Sequence, residues 1–184
     1  MCLEILKDII DSKKTKLCFS ADFTKTKDLI KWIQIMGPHI CVLKTHIDIL
    51  EDFEPGLILK LQDFKKKYNF LILEDRKFAD IGKTFSKQFF GGLYKIYDWC
   101  DIITVHGLCA HSILETVSTV GTNVLIVSQM SNSNNIIDAN YTQKCYDIAK
   151  KFPDNVLGFI SQTKFRKILS MVITIFMLIG FYQI

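Results

Sequence analysis

Six short, almost wholly apolar runs recur along this chain with helix-like stretches between them, and that alternation constrains its fold most. The runs are Leu17–Ser20, Ile40–Lys44, Phe70–Glu74, Ile102–Val105, Val124–Val127 and Val156–Ile160. Strands apolar on both sides belong to a parallel sheet covered by helices or to a barrel, and the βαβ rhythm says the same. Asp28–Met36 carries Leu29, Ile33 and Met36 on one stripe and stops at Gly37-Pro38. Leu57–Tyr68 carries Leu57, Leu61 and Phe64 on one face, with Lys65, Lys66 and Lys67 complementing the dipole of its last turn. Thr84–Trp99, broken around Gly91-Gly92, and Tyr141–Phe152 are the remaining expected helices. Six strand–helix units point to a (β/α)8 TIM-type barrel that stops after its sixth strand, since a full barrel takes about 250 residues. An open doubly wound sheet is the alternative, although no Gly-rich dinucleotide fingerprint follows the first strand.

The length of 184 residues suits one domain. The net charge of +4 does not argue for nucleic acid. Three of the 23 basic residues, Lys164, Arg166 and Lys167, lie in the last 22, leaving 20 against 19 acidic residues before them. The six cysteines form no CxxC pair and have no histidine at zinc-ligand spacing. They read as inert thiols in a reducing compartment. Charges interrupt the N-terminal apolar run, so no secretory signal is expected and the cytoplasm is the default location.

The chemistry gathers where strands end. Asp75 and Lys77 stand two apart at the end of the third strand, a spacing that points both the same way in extended backbone. Lys44 ends the second strand and Asp22 follows the first. Ionisable residues at the C-terminal ends of three successive strands occupy the place where a barrel enzyme builds its active site. The plain alternative for any one of them is a charged residue marking where a strand meets solvent.

Two segments resemble signatures of the orotidine 5′-monophosphate decarboxylase family: Lys44-Thr45-His46-Ile47-Asp48-Ile49-Leu50, and Glu74-Asp75-Arg76-Lys77-Phe78-Ala79-Asp80-Ile81-Gly82 with its D-x-K-x-x-D core. Leu17–Asp22, Gln88–Ile96, Ser128–Ser131 and Gly158–Ser161 add to the resemblance, which runs from about Leu3 to Ser161. It implies loss of CO2 from the pyrimidine nucleotide orotidine 5′-monophosphate to give uridine monophosphate, with no metal and no organic cofactor. It also implies that Lys44, Asp75, Lys77 and Asp80 form an alternating charged array. Lys77 is then the proton donor, Asp75 lies beside the departing carboxylate, and Lys44 bonds the ribose. Asp80 reaches a neighbouring subunit, so a homodimer is implied. Ser20 and Asp22 match pyrimidine- and ribose-facing positions. His46, Ile81 and Thr84 line the ribose or the shared site, and Met130 and Ser131 match the lid-side segment at the pyrimidine edge. Each of these has a plainer reading: Met130 as core, Ser131 and Thr84 as helix caps, His46 as a donor to a backbone carbonyl. His39, His106 and His111 take no role.

The resemblance stops after Ser161. A full barrel of this family goes on to a Thr-Pro-Gly segment and a Gly-Arg-Gly segment whose arginine binds phosphate, and neither is present. This divides the chain into a partial barrel, 1–162, and a divergent apolar tail, 163–184. The tail permits three readings. Its 17 charge-free residues from Ile168 lie at the lower edge of the ~17–25 that span a bilayer. It also suits a helix packed over an open barrel edge, or a segment never selected to fold there. The last is preferred and membrane contact ranks lowest. Two other functions stay open: an inactive, truncated homologue that at most dimerises, and a metal-using sugar-acid decarboxylase sharing D-x-K-x-x-D. Lys44-Thr45-His46 and Ser20-Ala21-Asp22 favour the pyrimidine enzyme over the latter.

Overall fold

The computed structural model describes residues 2–163 and 176–179. Each apolar run forms a strand: β1 Leu17–Ser20, β2 Val42–Thr45, β3 Leu71–Phe78, β4 Ile102–His106, β5 Asn123–Val127 and β6 Val156–Ile160. Helices α1 Cys2–Lys13, α2 Thr26–Met36, α3 Gly56–Tyr68, α4 Gly82–Phe90, α5 Ala110–Ser118 and α6 Ala139–Ala149 stand before and between them. Two expectations change. The helix expected over Thr84–Trp99 does break at Gly91-Gly92, where Gly92 is left-handed at φ 65°, but its second half is only a 3₁₀ turn, Ile96–Asp98. The third strand runs four residues beyond Glu74, through the charged signature itself.

The chain divides into two compact units. The first holds the residues up to Asp75, Leu93–Asp101, and a seventh strand, β7 Phe176–Ile179. Its strands are parallel in the order β7-β1-β2-β3. The second holds Arg76–Gly92 and the chain from Ile102 through β6, with β4, β5 and β6 parallel in sequential order. The neighbours of β1 decide between the two expected architectures. A doubly wound sheet reverses its strand order at β1, setting β1 beside β3 or β4. Here β1 lies between β2 and β7, so the sequential order of a barrel-type β/α fold holds.

β7 falls within the apolar tail, where Leu17 to Ser20 pair with Phe176 to Ile179. Those four residues are extended rather than helical; the other tail positions that the span and covering-helix readings invoke lie outside the described residues. Among the described residues, no helix is long and apolar enough to cross a membrane.

In the first unit α1 buries Leu6 and Ile9 and ends on Lys13. The Lys13 ammonium shares its three N–H donors among the carbonyls of Gly37, Ile40, Tyr68 and Asn69 at 2.5–3.3 Å. It thereby satisfies the C-terminal end of α3 and the turn that enters β2. Lys13→Met should leave these carbonyls short of a donor and cost about 2–3 kcal/mol in a urea titration. A loss under about 0.5 kcal/mol would assign them to solvent. In the second unit Phe78, Phe85 and Phe89 are buried against one another, Phe78 and Phe85 edge to face at 4.9 Å. This contact clamps α4 to the end of β3 and fixes the ends of the Ala79–Ile81 segment.

Candidate active site

Lys44 is the last-but-one residue of β2 and is buried, although a lone ammonium would not tolerate that position. Its Nζ lies 2.9 Å from Asp22 Oδ1 and 3.2 Å from Asp75 Oδ2, bridging the carboxylates that follow β1 and sit within β3. Burial works to lower the Lys44 pKa. Asp75 and then Asp22 outweigh it, and the net shift is upward. His46 turns its Nε2 to Asp75 Oδ2 at 3.2 Å, with Asp22 Oδ1 at 4.0 Å, so it meets carboxylates rather than the backbone carbonyl of its plainer reading. Ser20 stands opposite Lys44 in the ladder. Its Oγ is buried and, among the described residues, has no hydrogen-bond partner. An unsatisfied buried hydroxyl costs about 1–3 kcal/mol unless a ligand completes it.

The first unit thus brings together Ser20, Asp22, Lys44, His46 and Asp75. The second holds Lys77, Asp80, Ile81, Thr84, Met130 and Ser131. Lys77 is in β3 but left-handed, at φ 50°, so strand alternation does not carry through it. Its N–H donates to the Thr104 hydroxyl at 2.9 Å, and Thr104 is fully buried in β4. Asp80 Oδ1 accepts the Ile81 N–H at 2.7 Å, while the Ile81 side chain is 65% exposed at the N-cap of α4. Thr84 lies inside the first turn of α4 and caps nothing. Ser131 is exposed in the loop before α6, whose cap is Asp138; Met130 beside it is half-buried.

Two groups escaped the sequence reading of the site. One is Thr104, a hydroxyl in an otherwise apolar strand. The other is Glu74, which is completely buried. Its carboxyl group accepts the Thr45 hydroxyl at 2.7 Å and the Ile47 N–H at 3.1 Å. Burial pushes the Glu74 pKa up to about 8, against the lowering effect of those two donors. A carboxyl raised from 4.5 to about 8 binds its proton more tightly folded than unfolded. The stability linked to it is therefore full below about pH 4.5 and is lost as pH climbs towards 8. Glu74→Gln, which cannot ionise, should flatten that slope. The variant should gain about 2–3 kcal/mol on wild type between pH 5 and pH 8 in urea titrations. Parallel pH profiles for the two proteins would refute the assignment.

The sequence matches the orotidine 5′-phosphate decarboxylase / HUMPS family over residues 15–179, a span that runs past Ser161 and takes in β7. It is 43% identical over 164 residues to the orotidine 5′-phosphate decarboxylase of Saccharomycopsis fibuligera, covering 85% of this chain and 62% of that protein. It is 41% identical over 167 residues to the enzyme of that name from Candida boidinii, covering 86% of this chain and 62% of that one. The chain therefore spans about 62% of the length of these relatives. Among solved structures, the orotidine 5′-monophosphate decarboxylase from Methanocaldococcus jannaschii complexed with inhibitor BMP shares the fold. The TM-score is 0.63 at 21% identity, covering 80% of this chain and 67% of that one.

Proposed function

The chain belongs to the orotidine 5′-phosphate decarboxylase / HUMPS family, and on that footing we propose that it converts orotidine 5′-monophosphate to uridine 5′-monophosphate without a metal or organic cofactor. The observation that carries this reading is the buried Lys44 bridging Asp22 and Asp75 at the ends of successive parallel strands. Such a cluster is held in place before substrate arrives, so its charges need no reorganisation as the reaction proceeds.

The bond from ring C6 to the carboxylate breaks and CO2 leaves with the electron pair remaining on C6. The Lys77 ammonium stabilises that charge and transfers a proton to C6, then regains one from solvent. Asp75 lies beside the departing carboxylate and, with Asp22, keeps Lys44 charged. Lys44 and His46 serve the ribose, and the Ser20 hydroxyl, without a partner among the described residues, supplies a hydrogen bond to the pyrimidine. Met130 and Ser131 act at its edge. Asp80, with Ile81 and Thr84, serves the shared site of a homodimer, a role that the exposed Ile81 side chain suits. The sugar-acid alternative requires a metal, whereas the cation between Asp22 and Asp75 is here the Lys44 ammonium. All six cysteines are free thiols, which accords with a cytoplasmic enzyme.

The deciding experiment is loss of orotidine 5′-monophosphate absorbance with the purified chain, using Lys77→Ala as control. Turnover that the substitution abolishes supports the proposal. A folded chain without turnover favours the second reading, an inactive homologue whose remaining role is pairing.

A further inference from the structure

β2 is gripped from β3 by two adjacent carboxyl groups, one on each face. Side chains alternate along a strand, so Lys44 and Thr45 face opposite ways from β2; just beyond its end His46 joins the first and the Ile47 N–H the second. Asp75 takes the first pair, at 3.2 Å from both Lys44 Nζ and His46 Nε2. Glu74 takes the second, through the Thr45 hydroxyl and the Ile47 N–H. Thr45 and Glu74 are also ladder partners. Beyond Thr45 the strand gives way to a 3₁₀ turn, Ile47–Ile49, so the ladder no longer fixes the backbone that flanks Lys44.

Hydrophobic packing would be cheaper than a carboxyl group at a position with no exposure, because a buried carboxyl loses its hydration whichever form it takes. A buried polar group with satisfied partners instead specifies one arrangement of the backbone around it. From this geometry we propose that Glu74 is a positioning residue, which locks the end of β2 in the one register at which the Lys44 ammonium meets both Asp22 and Asp75. It touches no reacting atom. Its consequence for turnover rests on the reading of Lys44 given above; its hold on Lys44 does not.

The test needs no turnover, so its outcome is independent of whether the chain decarboxylates anything. The whole chain is treated with limiting acetic anhydride, and acetylation of Lys44 and Lys13 is followed by mass spectrometry. Lys13 bonds the Ile40 carbonyl at the entry to β2 and reports general loosening. Glu74→Ala should accelerate Lys44 labelling by about tenfold or more, and Thr45→Val, which removes one hydroxyl, by about fivefold, with Lys13 unchanged. Glu74→Gln should restore near-wild-type protection, because its amide carbonyl accepts the Ile47 N–H and its NH2 donates to Thr45. Should Glu74→Ala fail to fold, Thr45→Val and Glu74→Gln decide the matter. The proposal is overturned by unchanged Lys44 labelling in Thr45→Val. Equal acceleration of Lys13 and Lys44, or a glutamine variant that labels as fast as the alanine one, would overturn it as well.

Discussion

Lys77→Ala is expected to lower the turnover of orotidine 5′-monophosphate by about 10⁴-fold or more, with the loss in kcat rather than KM. Two effects combine. A positioned proton donor contributes on the order of 10²–10⁴, and a preorganised charge at the atom where charge develops contributes on the order of 10²–10³. Both act in the transition state, so substrate binding should change little. The backbone complicates a single substitution. Lys77 is left-handed at φ 50°, where lysine and alanine alike pay roughly 1–2 kcal/mol. Asparagine tolerates that conformation better, which makes Lys77→Asn the companion variant. If both lose turnover while neither loses stability, the ammonium is responsible. Full activity in either variant would remove Lys77 from the chemistry.

The left-handed Lys77 also marks where sequence reading reached its limit. Periodicity located β1 and β6 to the residue, because apolar runs bounded by polar turns carry their own ends. It ended the third strand at Glu74, since charged residues in series do not look like a strand. The turn at Lys77 is set by a hydroxyl on β4. Nothing local in lysine asks for positive φ. α5 lies outside the helices expected above, although Ala110, Ile113, Leu114 and Val117 follow the helical i, i+3, i+4, i+7 pattern and are all buried. α1 was hidden by its charges, and its anchor is the distant Lys13 contact to carbonyls near β2 and β3. For the site, motif resemblance pointed to Lys44, Asp22, His46 and Asp75, which do converge. It was silent on Glu74, whose importance comes from having no exposure, a property invisible in one dimension.

Lys44→Met should be the most destabilising of these changes, at about 3–5 kcal/mol near neutral pH. Methionine fills much of the same space, so the loss is electrostatic. Asp75, with only 9% of its side chain exposed, and Asp22 would face each other with no ammonium between them. His46 sits 3.2 Å from Asp75 but 4.0 Å from Asp22, too far to bridge both in the same way. Urea titrations of the variant and the wild type at pH 7.5 measure the deficit. Adding Asp75→Leu to the Lys44→Met variant should recover a large part of the stability, since removing both partners of a buried pair costs less than removing one. A deficit below about 1 kcal/mol, or no recovery in the double variant, would mean that solvent screens the pair. The charges preset around Lys44 would then be too weak to serve the chemistry proposed for them.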